Sequence, residues 1–286
     1  MVVIMKKTVI FILFILCSFQ FVVADDLVIN SRDWVDVSSG LSYGSLMDFK
    51  TILFAVEGQS ILELTQQIKE GENVLLLKGN NEVFTGLKST LEGRSSEVSL
   101  KESSNLNLLL AKELLENKKV ERFIVVNDDF PYDTVSIVSY ALASKSYLLY
   151  ADEESFDDIV NLIKETKKSP LIYGYVNPSL KKRLSEFDPI IIDQQDKYLN
   201  NIEIVKLFSK EKPDTKQVIF SSGDVLESSL FSGQFPTLFI GSNNIPKVTL
   251  DFLKKSKFKT AVVVGYDLYE NGKKIRIGTD EPEVLV

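Results

Sequence analysis

The chain predicts an α/β protein made of three tandem units, each a parallel sheet covered by helices. Three observations carry that class. First, Val28-Ile29-Asn30, Asp36, Ser39 and Ser42-Tyr43 recur 97 positions later as Val125-Val126-Asn127, Asp133, Ser136 and Ser139-Tyr140. A fainter third copy places Phe220-Ser221 and Glu227 94 positions after Val126-Asn127 and Asp133. Second, short runs rich in β-branched residues alternate with segments of helical spacing, the pattern of a parallel sheet buried on both faces. Third, a glycine closes the third apolar run of each copy: Gly79, Gly174 and Gly265. A repeat of this length is large enough to be a small domain. Three copies suit either an extended array or a trefoil that presents surface.

The second copy is the clearest. Phe123, Ile124, Val125 and Val126 read as a buried strand. After the loop 127–132, Asp133 opens a helix with Val135, Val138, Ala141 and Leu142 at helical spacing. Tyr147 to Tyr150 make a second strand. Ser155 and Asp158 have the spacing of a capping box, ahead of a helix face of Phe156, Ile159, Val160 and Ile163. Leu171, Ile172 and Tyr173 form a third strand, residues 180–187 a short helix, and Ile190 to Ile192 a fourth strand.

The other copies follow this order. In the first, Val28-Ile29 is a strand, 36–46 a helix, 52–54 a strand, and Ser60 with Glu63 caps a helix before the strand 74–77. In the third, 218–220, 238–240 and 261–264 are strands, and Pro246 stands near a helix start, where its missing N–H costs nothing. Two linker helices match each other. Asn107 to Lys112 corresponds to Asn201 to Lys206, 94 positions on, and each precedes a first strand. A last strand is expected at 275–277. The predicted boundaries are a leader at 1–24 and units at 25–104, 105–200 and 201–286.

Lys6-Lys7, the apolar stretch 8–23 and the small residues before Asp25 have the form of a secretory signal peptide. Export, a cell-surface or envelope location, and a peripheral relation to the membrane after cleavage are the expectation. Cys17 is the single cysteine and lies in that leader, and the 286-residue chain contains no histidine. Mature disulfides, cysteine–zinc sites, cysteine nucleophiles and every serine–histidine triad are thereby excluded. The net charge of −7 becomes −9 once the leader's two lysines are removed. That balance disfavours nucleic acid, whose phosphates need a basic surface.

The order of strand, loop, Asp, small-residue helix, strand, helix and glycine-ended strand resembles the type-2 cell-wall-binding repeat. The linker helix that begins with Asn and contains Ala-Lys strengthens the likeness. The segment Asp36 to Tyr43 is also similar to the opening region of some archaeal surface-layer proteins. The resemblance implies Rossmann-like or Toprim-like units packed as a pseudo-threefold trefoil. It also implies a non-catalytic envelope protein whose partner is a cell-envelope polymer or a surface-layer protein. The pattern departs from the family at Asp133-Thr-Val, Asp36-Val-Ser and Glu227-Ser-Ser, where the family has Asp-Ala-Leu.

The candidate ligand-binding residues are Asp36, Asp133 and Glu227, Asp128 and Asp129, and Trp34. The first three share one repeat position, at a helix start just past a strand end, where parallel α/β sheets usually bind ligands. An acid there also caps and complements the helix dipole. Asp128, Asp129 and Asp133 could gather a divalent cation through oxygen ligands; equally, they are a solvated loop. Trp34 could stack on a sugar or simply pack. No catalytic residue is assigned and no metal is identified. An extracytoplasmic solute-binding receptor and, further off, a carboxylate–metal hydrolase stand as alternatives.

Overall fold

The computed structural model describes residues 24–166, 168–275 and 283–285. Residues 1–23 of the expected leader and most of the strand expected at 275–277 lie outside the described residues. Unit 1 runs β1 (Asp26–Asn30), α1 (Trp34–Leu46), β2 (Thr51–Phe54), α2 (Ile61–Gln66), β3 (Asn73–Lys78), α3 (Leu87–Glu92) and β4 (Glu97–Glu102). The linker helix α4 (Leu106–Glu116) leads into β5 (Arg122–Asn127), α5 (Pro131–Ala143), β6 (Ser146–Ala151), α6 (Phe156–Glu165), β7 (Leu171–Tyr173), α7 (Pro178–Leu184) and β8 (Ile190–Ile192). The second linker, α8 (Lys197–Glu211), precedes β9 (Gln217–Ser221), β10 (Thr237–Phe239), α9 (Lys247–Lys255), β11 (Thr260–Val263), α10 (Tyr269–Gly272) and β12 (Glu283–Leu285).

Each unit carries one four-stranded sheet, and all three have the same order: β2-β1-β3-β4, β6-β5-β7-β8 and β10-β9-β11-β12. Every pairing is parallel. Three tandem Rossmann-like α/β units are therefore present. The first strand lies inside each sheet and is buried beyond its first residue, as the continuous apolar runs required. The third copy sits one residue off its sequence alignment. Phe220 faces Val263 two residues before Gly265, just as Val125 faces Ile172 two residues before Gly174.

The units share a core. One cluster of buried side chains runs from Leu27 in unit 1, through unit 2, to Phe239 in unit 3. Helices α1 and α5 meet each other, and both meet a short 3-10 segment of unit 3, Ser228–Ser232. The three units close on one another as a trefoil, not a line. At this centre α1 is buried almost all round, so its apolar residues form no single stripe. It is instead made of small residues. A methyl group on Gly40 would press on Ile29, and one on Gly44 would press on Leu27 and Ile52. Ser45 Oγ donates to Phe231 O at 2.6 Å, and Ser139 Oγ donates to Leu230 O at 3.0 Å. These serines tie units 1 and 2 to the 3-10 segment.

Local details differ from the sequence reading in three places. Ser60 and Glu63 form the expected capping box, but Ser155 caps nothing. Its N–H donates to Asp152 Oδ1 at 2.6 Å instead, so Asp152 holds that turn. The helix expected at 180–187 ends at Leu184 and continues as a 3-10 turn, stopped by Asp188 at φ 50°. In the third copy the long helix after the first strand is replaced by the 3-10 segment.

The linker helices carry the connection between units. Asn107 Nδ2 donates to Ser39 Oγ of α1 at 2.9 Å and to Leu148 O at 2.8 Å; Tyr150 N donates back to Asn107 Oδ1 at 3.2 Å. Asn201 repeats this with Ser136 Oγ of α5 at 2.9 Å, Thr237 O at 2.9 Å and Phe239 N at 2.8 Å. Each carboxamide thus completes the outer edge of β6 or β10 as one rung of a neighbouring strand would. Replacing Asn201 by Leu leaves a buried N–H and C=O unmet, which costs about 2–3 kcal/mol. Urea denaturation of Asn201→Leu should show a lowered midpoint at unchanged slope, whereas Lys206→Ala on the same helix should leave the midpoint in place.

Candidate functional site

Asp36 and Asp133 stand in the first turns of α1 and α5. Both helices start where local chemistry directs. Asp33 caps α1 by accepting from Val35 N at 2.8 Å, and Pro131 opens α5 at a position with no helical N–H to lose. The 2-1-3-4 strand order reverses direction between the first and third strands of each sheet. Asp36 and Asp133 sit just beyond that switch point, the ligand position of open α/β sheets. Each carboxylate lies against the residue that follows the third strand. A methyl group on Gly79 would overlap the Asp36 carboxylate, and one on Gly174 would crowd that of Asp133.

Both carboxyl groups are buried. Ser31 Oγ donates to Asp36 Oδ2 at 2.7 Å. Burial raises the Asp36 pKa to about 6, with the Ser31 hydrogen bond opposing the shift. Burial raises that of Asp133 to about 7, and the neighbouring Asp193 carboxylate adds to the shift. Neither acid caps its helix: Asp33 accepts from Val35 N at the start of α1, and α5 has no side-chain cap.

Each acid borders a hollow on a seam between elements. The first, of about 110 Å³, is lined by Asp33, Asp36, Asn105, Asp128, Tyr150 and Asp152 among others. It joins unit 1, the start of α4 and unit 2. The second, of about 200 Å³, is bordered by Tyr132, Asp133, Tyr175, Asp193, Asp196 and Lys197 among others. It joins unit 2 to the start of α8. Lys197 Nζ lies 5.5 Å from the centre of the Tyr132 ring, a cation–π distance. The two hollows share the repeat acid, its helix start and the start of a linker helix, but only the first is also lined by residues of the next unit; apart from Lys197, their charged lining residues are acidic.

The acidic loop is split by this arrangement. Asp128 lines the hollow of Asp36 and not that of Asp133; burial and the nearby Asp129, Asp152 and Asp33 raise its pKa. Asp129 is exposed, and its N–H donates to Asn127 Oδ1 at 2.7 Å. Among the described residues no three acidic side chains gather as a metal site. The grouping of Asp128, Asp129 and Asp133 around one cation is therefore not formed. Trp34 packs edge-on against Tyr150, ring centres 5.3 Å apart. Glu227 parts company with Asp36 and Asp133: it is exposed and precedes a 3-10 turn. The third unit lacks the long helix whose first turn would bury it.

Asp33, Asp152, Asp193 and Asp196 were not singled out by sequence reasoning. Only Asp193 and Asp196 carried a usable signal, since they flank the start of a linker helix already recognised. Among the described residues no helix is long and apolar enough to cross a membrane.

No protein-family model matches the chain, and no curated protein does. Solved structures do. Cwp8 from Clostridium difficile superposes with a TM-score of 0.68 at 13% identity, over 90% of this chain and 47% of that one. Cwp6 from Clostridium difficile superposes with a TM-score of 0.60 at 15% identity, over 91% of this chain and 42% of that one. At such identity the likeness establishes the fold, and the chain spans about half the length of either neighbour.

The buried acids make stability depend on pH. Their folded pKa values lie above the unfolded value of 3.8, so the native state holds protons that the unfolded chain releases. The contribution of these two groups is most favourable below the unfolded value and is lost as pH rises through about 6 to 7. Asp36→Asn and Asp133→Asn should each stabilise the protein at pH 8 by about 1–2 kcal/mol and flatten the loss between pH 5 and 8, read by urea midpoints across that range. Gly79→Ala should lower the melting temperature by roughly 4 °C or more, as expected for about 2 kcal/mol of overpacking. Combining it with Asp36→Ala should recover part of that loss.

Proposed function

We propose that the chain is an exported, non-catalytic envelope protein whose closed array of α/β units binds or assembles at the cell surface. The observation that carries this reading is the pair of acidic hollows beside the repeat-equivalent Asp36 and Asp133 at the sheet switch points, on a fold shared with Cwp8 and Cwp6. The likeness to cell-wall-binding repeats seen in the sequence supports the same reading. A cell-envelope polymer or a surface-layer protein is the partner class.

The electrostatics of the hollows narrow the kind of group that enters. Asp33, Asp36, Asp128 and Asp152 repel a bare anion. A hydroxyl-rich glycan segment, an amine-bearing substituent or an anionic group bridged by a divalent cation fits them. Tyr150 lines the first hollow, and Trp34 packs edge-on behind it. The basic residues offer less. Arg183 is paired with Asp157 at 2.6 Å and Lys181 with Asp193 at 3.5 Å, while Lys254 and Lys255 are exposed on α9. Glu227 has no part in this scheme.

Retention of the protein on native cell envelopes, washed with rising salt and then with chelator, tests the proposal. Binding is expected to survive moderate salt, and Asp36→Asn with Asp128→Asn should weaken it about tenfold; loss on chelation would mark a cation-bridged anionic group as the one bound. Failure of the wild-type chain to be retained at low salt, with calcium present, would refute envelope binding.

A further inference from the structure

The hollow beside Asp133 differs from the one beside Asp36 in what its buried polar groups still lack. In unit 1, Ser31 Oγ donates to the Asp36 carboxylate. The repeat places Asp128 where Ser31 stands, 97 positions on, and Asp128 lines the first hollow instead of the second. Asp133 is 3% exposed, and among the described residues no group donates to its carboxylate. Its oxygens open onto the second hollow.

Asn200 brings the complementary need. It is 5% exposed and lines the same hollow. Its Oδ1 accepts from Gln194 N at 2.7 Å, while among the described residues its Nδ2 finds no acceptor. An unmet acceptor and an unmet donor, both on deeply buried side chains, thus face one space of about 200 Å³. Buried polar groups left without a partner are costly, so each one calls for an explanation.

The charges nearby are met within the chain. Asp193 pairs with Lys181 at 3.5 Å, and Asp196 accepts from Tyr198 N at 2.9 Å and Leu199 N at 2.8 Å at the start of α8. Lys197 Nζ lies over the rings of Tyr132 and Tyr198, 5.5 and 5.4 Å from their centres. An anionic group has no proton for Asp133 and is repelled by Asp193 and Asp196. An ammonium has no lone pair for Asn200 Nδ2 and is repelled by Lys197. A hydroxyl carries donor and acceptor on one atom. It also serves Asp133 in either protonation state, donating to the carboxylate or accepting from the acid, which an amide N–H does not.

We propose that this hollow is a subsite for one uncharged sugar residue, whose hydroxyls donate to Asp133 and accept from Asn200 Nδ2. The assignment rests on the envelope-binding reading above and narrows it to a neutral glycan unit at this place. The hollow is smaller than the pockets of drug-sized ligands, so it admits a single ring. Tyr175 on its rim is 57% exposed, and its open ring can carry the C–H face of that sugar.

The test follows the Asp133 carboxyl carbon and the Asn200 side-chain amide by NMR while the methyl glycosides of glucose, galactose and mannose are added in turn. At least one glycoside should shift both signals together and to saturation. Tetrahydropyran, the same ring without hydroxyls, should leave them in place. Tyr175→Ala and Asn200→Asp should each weaken the binding about tenfold, read at Asp133. Tyr175 is exposed, and Asn200→Asp keeps the acceptor for Gln194 N while removing the N–H donor, so both variants retain the fold. No shift with any of the three glycosides would overturn the proposal. So would an equal response to tetrahydropyran, which marks apolar adhesion, or a response to N-methylacetamide alone, which marks a peptide amide. Retention of the same protein on cell envelopes beside such a failure would remove this subsite and leave envelope binding standing.

Discussion

The structure depends on how the open edges of its sheets are closed. A parallel sheet of four strands leaves a row of N–H and C=O groups on its outermost strand, and burying them unpaired is costly. In units 2 and 3 a single carboxamide, that of Asn107 or Asn201, meets one donor and one acceptor of that row. The same group reaches the serine of the preceding unit's first helix. One side chain therefore solves the edge problem and sets how successive units sit against each other. Gln at this place would reach too far, and Asp would offer no donor to the carbonyl.

Small residues make the central contact. Helix α1 holds Gly40 and Gly44 where its backbone meets the sheet side chains of Ile29, Leu27 and Ile52. Such a sequence has weak helix propensity, so α1 is stabilised by burial on all sides and not by its own residues. Unit 3 contributes a 3-10 segment to this centre, and serine hydroxyls of α1 and α5 bond directly to its carbonyls. Tyr150 adds a lateral tie, with Ser38 of unit 1 at 2.8 Å and Thr134 of unit 2 at 3.0 Å. The polar groups of the core are thus joined across unit boundaries, and the units behave as one packed body.

That packing also shapes the electrostatics of the candidate site. Asp36 and Asp133 are held at the switch points with their carboxyl groups out of water, at a cost in stability at neutral pH. In a chain without histidine, these two acids supply titration near pH 6 to 7. Natural proteins tend to place such local penalties where a ligand is met. The third unit carries no equivalent, because Glu227 is left on an exposed turn.

The sequence by itself determined the α/β class, the three-unit repeat, nearly every strand and the linker helices. Strands buried on both faces must be continuous apolar runs, and buried helix faces must recur at helical spacing, so these elements are written locally. It also excluded histidine chemistry, since the chain contains no histidine. Tertiary structure decided the rest. The closed trefoil, the fate of Glu227, the separation of Asp128 from Asp133 and the role of Asn107 all rest on distant partners. Asn107 is 68 positions from Ser39 and 41 from Leu148. No local pattern encodes which carbonyl an amide will meet once three sheets have packed, because that choice is made by the shared core and not by the segment that carries the residue.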